Sequence, residues 1–515
     1  MEYRLFSENA WVYPDDEAVG GGTAELHCAR NADTAFQLLT DVLLDGGEAL
    51  NVSADGLPCG VQVYQLLPAH AGRNSGPDIL STDDYDLVKD FVTRKAPFDV
   101  YDVTWLSDQL QSGRAAFFVR LNVPADAQPG AYDGSVALSF GAHTLTVPVQ
   151  LTVYPAAVPP LKDARLRVVN WIYYDKLAQQ HRVGLWSDAY WRILDEYLLQ
   201  QIDMRSDVLM LPSGEPVRDD SGRVIDFDFT HASLVGQHAL KLGMRHVMGG
   251  FSVGCKAYDK PELHLLWDPQ VDACSIEGFR QLKMYFRRAW ECVQQNGWTG
   301  YMQCIMDEPN FVTAVSYRAV SGICRQMMPG VIINDPVEGS NLGGAVDIWV
   351  VKQAVFEKHL ADFQTLQQMG EEMWLYSCGY PAGRTMNRVI DLPLSAGRLH
   401  MWMCCKYNAP GFLHFGYHLH NEEFWSETCY RASRGRQFPP GNAAIVYPGQ
   451  EGPQYSVRAH IQRMGAQDYE LLCQLKEKDA SLAEELIAEA CRTFDDYETD
   501  AAVVDDIRRH VLEAL

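Results

Sequence analysis

Pro155-Ala156-Ala157-Val158-Pro159-Pro160 marks the point where the patterning of the chain changes. Proline fixes φ and has no backbone donor, so paired prolines resist helix interiors and central strands, and the segment reads as a linker. Before it, apolar and polar residues alternate in short runs at 115–121, 134–139 and 145–153, separated by Pro129-Gly130 and Tyr132-Asp133-Gly134. Period-two patterning broken by frequent turn chemistry predicts an antiparallel β-sandwich over residues 1–157.

After the linker the pattern becomes strand, then helix, repeated. Candidate strands are 165–171, 207–211, 245–250, 300–306, 331–334, 347–351, 372–377 and 412–417. Between most of them lie stretches with three-to-four apolar spacing, such as 188–202, 276–295 and 356–369. Eight such units over roughly 250 residues match a closed (β/α)8, TIM-like barrel, and alternation alone also suits an open doubly wound sheet. The charged, helical tail from about residue 456 is expected to complete the last barrel helix and pack on the outside. The expected architecture is multidomain α and β: an N-terminal accessory sandwich at 1–157, then a catalytic barrel with C-terminal helices at 158–515.

At 515 residues the chain exceeds what one hydrophobic core usually serves. Lys and Arg total 43 against 67 Asp and Glu, a formal charge of −24. That field repels phosphate backbones and anionic lipid heads, which argues against nucleic acid and membrane partners and favours a neutral sugar. No apolar run reaches the ~18 residues of a transmembrane helix. The opening MEYRLFSENAWVYPDD has neither a basic n-region nor an apolar h-region, so it does not read as a secretory signal. The 13 cysteines are odd in number, scattered and free of C-x-x-C pairs, and Cys404 and Cys405 are adjacent. Reduced thiols in a cytoplasmic protein are the expectation.

In a (β/α)8 barrel the functional side chains lie at the C-terminal ends of the strands. Those ends offer Trp171 and Tyr173, Gly250 and Phe251, Asp307 and Glu308, Asn334 and Asp335, Lys352, Cys378 to Tyr380, and Tyr417 with His418. Aromatic rings stack on sugar C–H faces while carboxylates and amides read hydroxyls, so Trp171, Tyr173, Asn334, Asp335, Tyr380, Tyr417 and His418 are candidate substrate-binding residues. The sharpest element is Met306-Asp307-Glu308-Pro309, two acids ending an apolar strand. Adjacent carboxylates repel, and burial favours protonating one of them, so a protonated Glu308 beside an ionised Asp307 is expected to serve acid-assisted glycosidic cleavage. The same tripeptide also suits a cap for the following helix.

Other elements point elsewhere. His414, His418 and His420 could share a strand face, but hydrogen bonding within the site or to water is the expectation, with no metal and no cofactor. Gly20-Gly21-Gly22 is a turn without the lysine of a phosphate loop, and there is no G-x-S-x-G elbow. Trp191, Tyr197, Tyr285, Phe286 and Trp290 read as core, whereas Trp374 and Trp402 suit either a sugar floor or packing.

A family likeness then emerges. The stretches Leu375-Tyr376-Ser377-Cys378-Gly379, Asn387-Arg388, Lys406-Tyr407-Asn408, Gly411-Phe412-Leu413-His414-Phe415-Gly416-Tyr417, Val446-Tyr447-Pro448-Gly449, Ser456-Val457-Arg458 and Gln467-Asp468-Tyr469-Glu470 resemble the DUF4091 domain. This domain forms the barrel of proteins related to glycoside hydrolase family 123, the β-N-acetylgalactosaminidases. Residues 117–124 and Pro129-Gly130-Ala131-Tyr132 are similar to that family's accessory sandwich. The resemblance implies substrate-assisted cleavage of a terminal amino sugar by a retaining exo-β-N-acetylhexosaminidase. Asp307 would orient the acetamido group whose oxygen attacks the anomeric carbon, Glu308 would act as general acid and base, and Tyr380 would close the acetamido pocket. One departure stands out: relatives carry Gly-Tyr-Asn followed two residues on by an aromatic, where this chain has Gly416-Tyr417-His418 and His420. A glycosidase for a sugar without the acetamido group and a non-catalytic carbohydrate-binding barrel are the competing readings. No pattern bears on oligomeric state.

Overall fold

The computed structural model describes residues 1–76, 85–255, 257–381, 383–422, 427–432 and 437–515. The chain forms two compact units. One comprises Met1–Leu166, Cys378–Tyr407 and Gly416–Leu515, the other Arg167–Ser377 and Asn408–Phe415. Among the described residues no helix is long and apolar enough to cross a membrane.

The first unit is built on two sheets. The larger runs in the order Tyr3–Ser7, Ala32–Leu44, Gly113–Val123, Gly60–Ala71, Phe98–Trp105, Pro453–Ser456, Tyr447–Pro448, every pair antiparallel. The smaller runs Ala24–Arg30, His143–Ala157, Gly130–Phe140, Leu50–Asp55, with its first pair parallel and the rest antiparallel. His143–Ala157 shows the alternating burial of a half-buried strand, directing Leu145, Val147, Val149 and Leu151 inward. Gly113–Val123 behaves differently, because Ala115 to Leu121 are buried without interruption. Both of its faces are covered. On one, Phe117 meets Phe140 of the smaller sheet at 5.3 Å between ring centroids. On the other, Ala116 and Phe118 join a core with Ile390, Leu394, Val457, Ile461 and Met464. The expected division at 157 assigned the C-terminal helices to the barrel, whereas Val457–Lys478 packs on the N-terminal sheet.

Charge secures that packing. Arg398 is fully buried and donates to Asp468 at 2.5 Å and Glu8 at 2.6 Å, while Arg508 reaches Asp468 at 2.9 Å. Arg458 donates to Asp102 at 2.8 Å, as does the Tyr447 hydroxyl at 2.7 Å. Asp33 is paired with Arg120 and Arg463.

The second unit is a closed barrel of eight parallel strands: β1 (Arg167–Asn170), β2 (Val208–Met210), β3 (His246–Gly249), β4 (Met302–Gln303), β5 (Ile332–Val337), β6 (Ile348–Lys352), β7 (Glu372–Ser377) and β8 (Gly411–His414). Closure comes from β8 pairing β1, Arg167 opposite Gly411 through Asn170 opposite His414. All five residues of β6 are buried, as befits a parallel strand covered on both faces. Gly411 admits the fully buried Trp374 indole, since a Cβ there would overlap the ring. Trp374 and Trp402 are therefore both packing residues, each N–H satisfied by a carboxylate, Glu372 and Asp468 respectively. Two barrel helices are capped by serine: Ser187 and Ser275 accept from Tyr190 N and Gly278 N at the heads of Asp188–Asp203 and Ile276–Asn296. Gly297, at φ +62°, ends the latter. The run at 356–369 is two helices, Gln353–Lys358 and Leu360–Gln368, broken at His359.

Candidate active site

β4 makes ladder pairs only at Met302 and Gln303, after which the chain is held by other means. Cys304 N donates to Gly249 O at 3.1 Å, and Ser252 N and Val253 N donate to Ile305 O at 3.0 and 3.1 Å. The Asp335 carboxylate, on β5, accepts from Ile305 N at 2.9 Å and from the Tyr317 hydroxyl at 2.6 Å. This extension carries the backbone to Asp307 and Glu308 at the C-terminal end of the barrel strands. The acids do not cap the next helix. That helix is Ala314–Met327, and the turn before it is closed by Asn310, whose side-chain oxygen accepts from Val312 N and Thr313 N at 2.9 and 3.1 Å.

Glu308 has φ +53°, a left-handed conformation that a residue with a Cβ rarely adopts. Its carboxylate is gripped from three sides. Tyr376 of β7 donates to Oε1 at 2.6 Å, Lys352 at the end of β6 lies 2.9 Å from the same oxygen, and Tyr258 donates to Oε2 at 2.9 Å. Lys352 also contacts Glu338, the first residue after β5. Two backbone bonds tie the loops together: Glu308 N donates to Pro336 O at 3.1 Å and Glu338 N to Pro309 O at 3.0 Å. Asp307 is exposed to solvent, yet the surrounding protein desolvates its carboxyl.

These neighbours divide the acidic pair. Burial, reinforced by the Glu308 charge, raises the Asp307 pKa. Burial also acts to raise Glu308, but the Lys352 charge and the hydrogen bonds from Lys352, Tyr376 and Tyr258 outweigh it and hold Glu308 below its usual value. These shifts favour the proton on Asp307 over Glu308. That is the reverse of the expected order, and the cause is the lysine.

The other candidates are scattered. Trp171, just past β1, is buried edge-on against Phe251 at 5.3 Å, and Tyr173, two residues on, is half-buried. Asn334 and Asp335 are fully buried inside β5, Asn334 against Met302 Sδ at 3.6 Å and Asp335 in the ties described above. A substrate-facing role was expected of both; they instead lie within a strand that runs to Val337 rather than ending at 334. Tyr380, Tyr417 and His418 belong to the other compact unit. There Tyr380 is 51% exposed, while Tyr417 and His418 are fully buried with rings 5.9 Å apart. His414 ends β8 and is buried, and His420 Nε2 lies 2.6 Å from Val446 O. Among the described residues no group of three or more His, Cys, Asp or Glu could hold a metal ion. Tyr258, Glu338 and Tyr376 were not anticipated, and Lys352 was noted only as a strand end.

The model of the glycoside hydrolase 123 catalytic domain matches residues 171–475. The chain belongs to glycoside hydrolase family 123. This family 123 enzyme is similar along nearly its whole length to a solved family 123 glycoside hydrolase from Clostridium perfringens, studied for glycolipid glycan hydrolysis. The two share 13% identity at a TM-score of 0.77, over 99% of this chain and 97% of that one. Likeness to a termite-gut GH10 xylanase with a bacterial Ig-like domain is slighter, at 9% identity and a TM-score of 0.37 over 87% and 99% of the chains. No curated protein matches the family 123 enzyme in sequence. Membership makes the chain a glycoside hydrolase with a carbohydrate substrate.

Proposed function

We propose that the enzyme is a retaining exo-β-N-acetylhexosaminidase, N-acetylgalactosamine preferred, in which the substrate's own acetamido oxygen is the nucleophile. Asp307 orients and polarises the acetamido N–H. Glu308 protonates the leaving oxygen and then activates water. The observation that carries this reading is the adjacency of the two acids at the end of β4, with Glu308 held by Tyr376, Tyr258 and Lys352. Neighbouring carboxylates suit a mechanism with a substrate-borne nucleophile, whereas a conventional retaining pair stands about 5–5.5 Å apart across the sugar. In this reading the raised Asp307 and the lowered Glu308 share one proton. An acetamido N–H donated to Asp307 favours its carboxylate and sends the shared proton to Glu308, where the leaving group needs it.

With an aryl N-acetylgalactosaminide, Glu308→Gln is expected to lower kcat about a thousandfold, within the range for losing a general acid. Asp307→Asn is expected to slow formation of the intermediate most, and a thiazoline analogue of that intermediate to inhibit. Full activity without thiazoline inhibition would exclude substrate assistance. The Lys352–Glu308 ion pair favours a second reading, in which an ionised glutamate attacks a sugar lacking the acetamido group. Plain galactosides cleaved as well as acetamido sugars would establish it.

A further inference from the structure

One ammonium serves several acids in this site. Lys352 is 5% exposed in its side chain and stands between Glu308 and Glu338, themselves only 15% and 25% exposed. The backbone of Glu338 is held here, because its own N–H is bound to Pro309 O and Glu308 N is bound to Pro336 O. Asp307, next to Glu308 in the chain, adds a third carboxyl that feels the charge of the same cation. Among the described residues, the other titratable groups facing the cluster are Tyr258, Tyr376 and Cys255, none of them a cationic side chain.

We infer that Glu338 is a positioning residue for Glu308: it draws the Lys352 ammonium partly away from the proposed acid and so leaves Glu308 able to take and give a proton. The inference rests on Glu308 acting as the acid. A lysine committed wholly to Glu308 would hold that group as a carboxylate, and protonating it would first require breaking a desolvated ion pair. Sharing the cation weakens that hold without removing the donors that aim the side chain. The surrounding electrostatics agree in sign, since burial and then the Glu308 charge raise Glu338, and Glu338 in turn raises Asp307.

The test compares the full-length enzyme with Glu338→Gln, Glu338→Asp and Lys352→Met. Replacing Glu338 by glutamine hands the lysine to Glu308 and removes a repelling charge, so the pair holds its proton less tightly. The alkaline limb of kcat/KM on an aryl acetamido glycoside is expected to move about one pH unit lower, a tenfold loss on that limb. Lys352→Met is expected to move the limb the opposite way, and Glu338→Asp to return it towards wild type. A limb that stays put in Glu338→Gln, or a loss uniform at every pH, overturns the inference. The carbonyl stretch of the protonated pair, followed by infrared titration against Glu308→Gln, gives a reading that needs no turnover. If the wild type cleaves no acetamido glycoside, the proposed function fails while the infrared midpoint still decides. A midpoint that falls in Glu338→Gln upholds the role of Glu338, and an unmoved midpoint overturns it.

Discussion

Glu308 shows what a single residue gives up to serve a site. Its φ of +53° costs about 1–3 kcal/mol for a side chain with a Cβ. Three donors hold its carboxylate against that strain and against the charge of Asp307. Because the strain and the like-charge repulsion oppose folding, Glu308→Gly is expected to abolish turnover while melting at or above the wild-type temperature. A melting temperature several degrees lower would show that the network contributes more to stability than the backbone costs. The residue also explains why the direction of proton sharing was not legible. Asp307-Glu308-Pro309 announces an acidic pair, but a lysine forty-odd positions away decides which acid is ionised, and nothing in the tripeptide points to it.

At the scale of the element, strand ends decided what could be read. β7 is found at the expected 372–377, and β6 within one residue, because unbroken apolar runs are bounded there by polar residues. β5 is longer than expected, since Asp335-Pro336 reads as a stop but lies inside the strand. Pro336 lacks a donor, yet its carbonyl still accepts from Glu308 N, so the strand continues and Glu338 becomes the residue at its mouth. Ending the strand at 334 put Asn334 and Asp335 in the site and left Glu338 out. Asp335 ties the ends of β4 and β5, and its pKa is raised well above the usual value by burial despite the hydrogen bonds from Tyr317, Ile305 and Met306. A carboxyl raised on folding loses stability as pH climbs above its unfolded value of about 4. Asp335→Asn is therefore expected to fold, to gain on the wild type in chemical denaturation as pH rises from 5 to 8, and to keep turnover within a few-fold. Loss of turnover as severe as that of Asp307→Asn would return Asp335 to the substrate.

For the whole molecule, the succession of antiparallel sheets and a barrel was legible from the change of period at residues 155–160, but the fate of the C-terminal helices was not. Arg458, Asp468 and Glu470 make Val457–Lys478 look like a solvated helix, and composition does not distinguish a hydrated charge from a paired one. In the folded unit all three are buried. Burial acts to raise Asp33 and Asp468, but Arg463 and Arg120 for the first, and Arg398 and Arg508 for the second, hold both below the usual aspartate range. Such lowered groups contribute stability that is present above about pH 4 and lost as pH falls through their folded values. Melting temperature is accordingly expected to fall steeply below pH 4. Arg398→Met, which leaves Glu8 buried without its guanidinium and Asp468 with that of Arg508 alone, is expected to cost about 3–5 kcal/mol at neutral pH. An unchanged melting temperature in that variant would show that these pairs contribute little.

The strand Gly113–Val123, covered on both faces, has a consequence for biosynthesis. Its second cover comes from Val457, Ile461 and Met464, and Phe98–Trp105, two strands along the same sheet, gains its outer partner only from Pro453–Ser456. A ribosome delivers those residues after every strand of the barrel. Throughout most of translation the nascent N-terminal sheet therefore carries an open edge and a bare greasy face, the state that invites wrong pairing and chaperone capture.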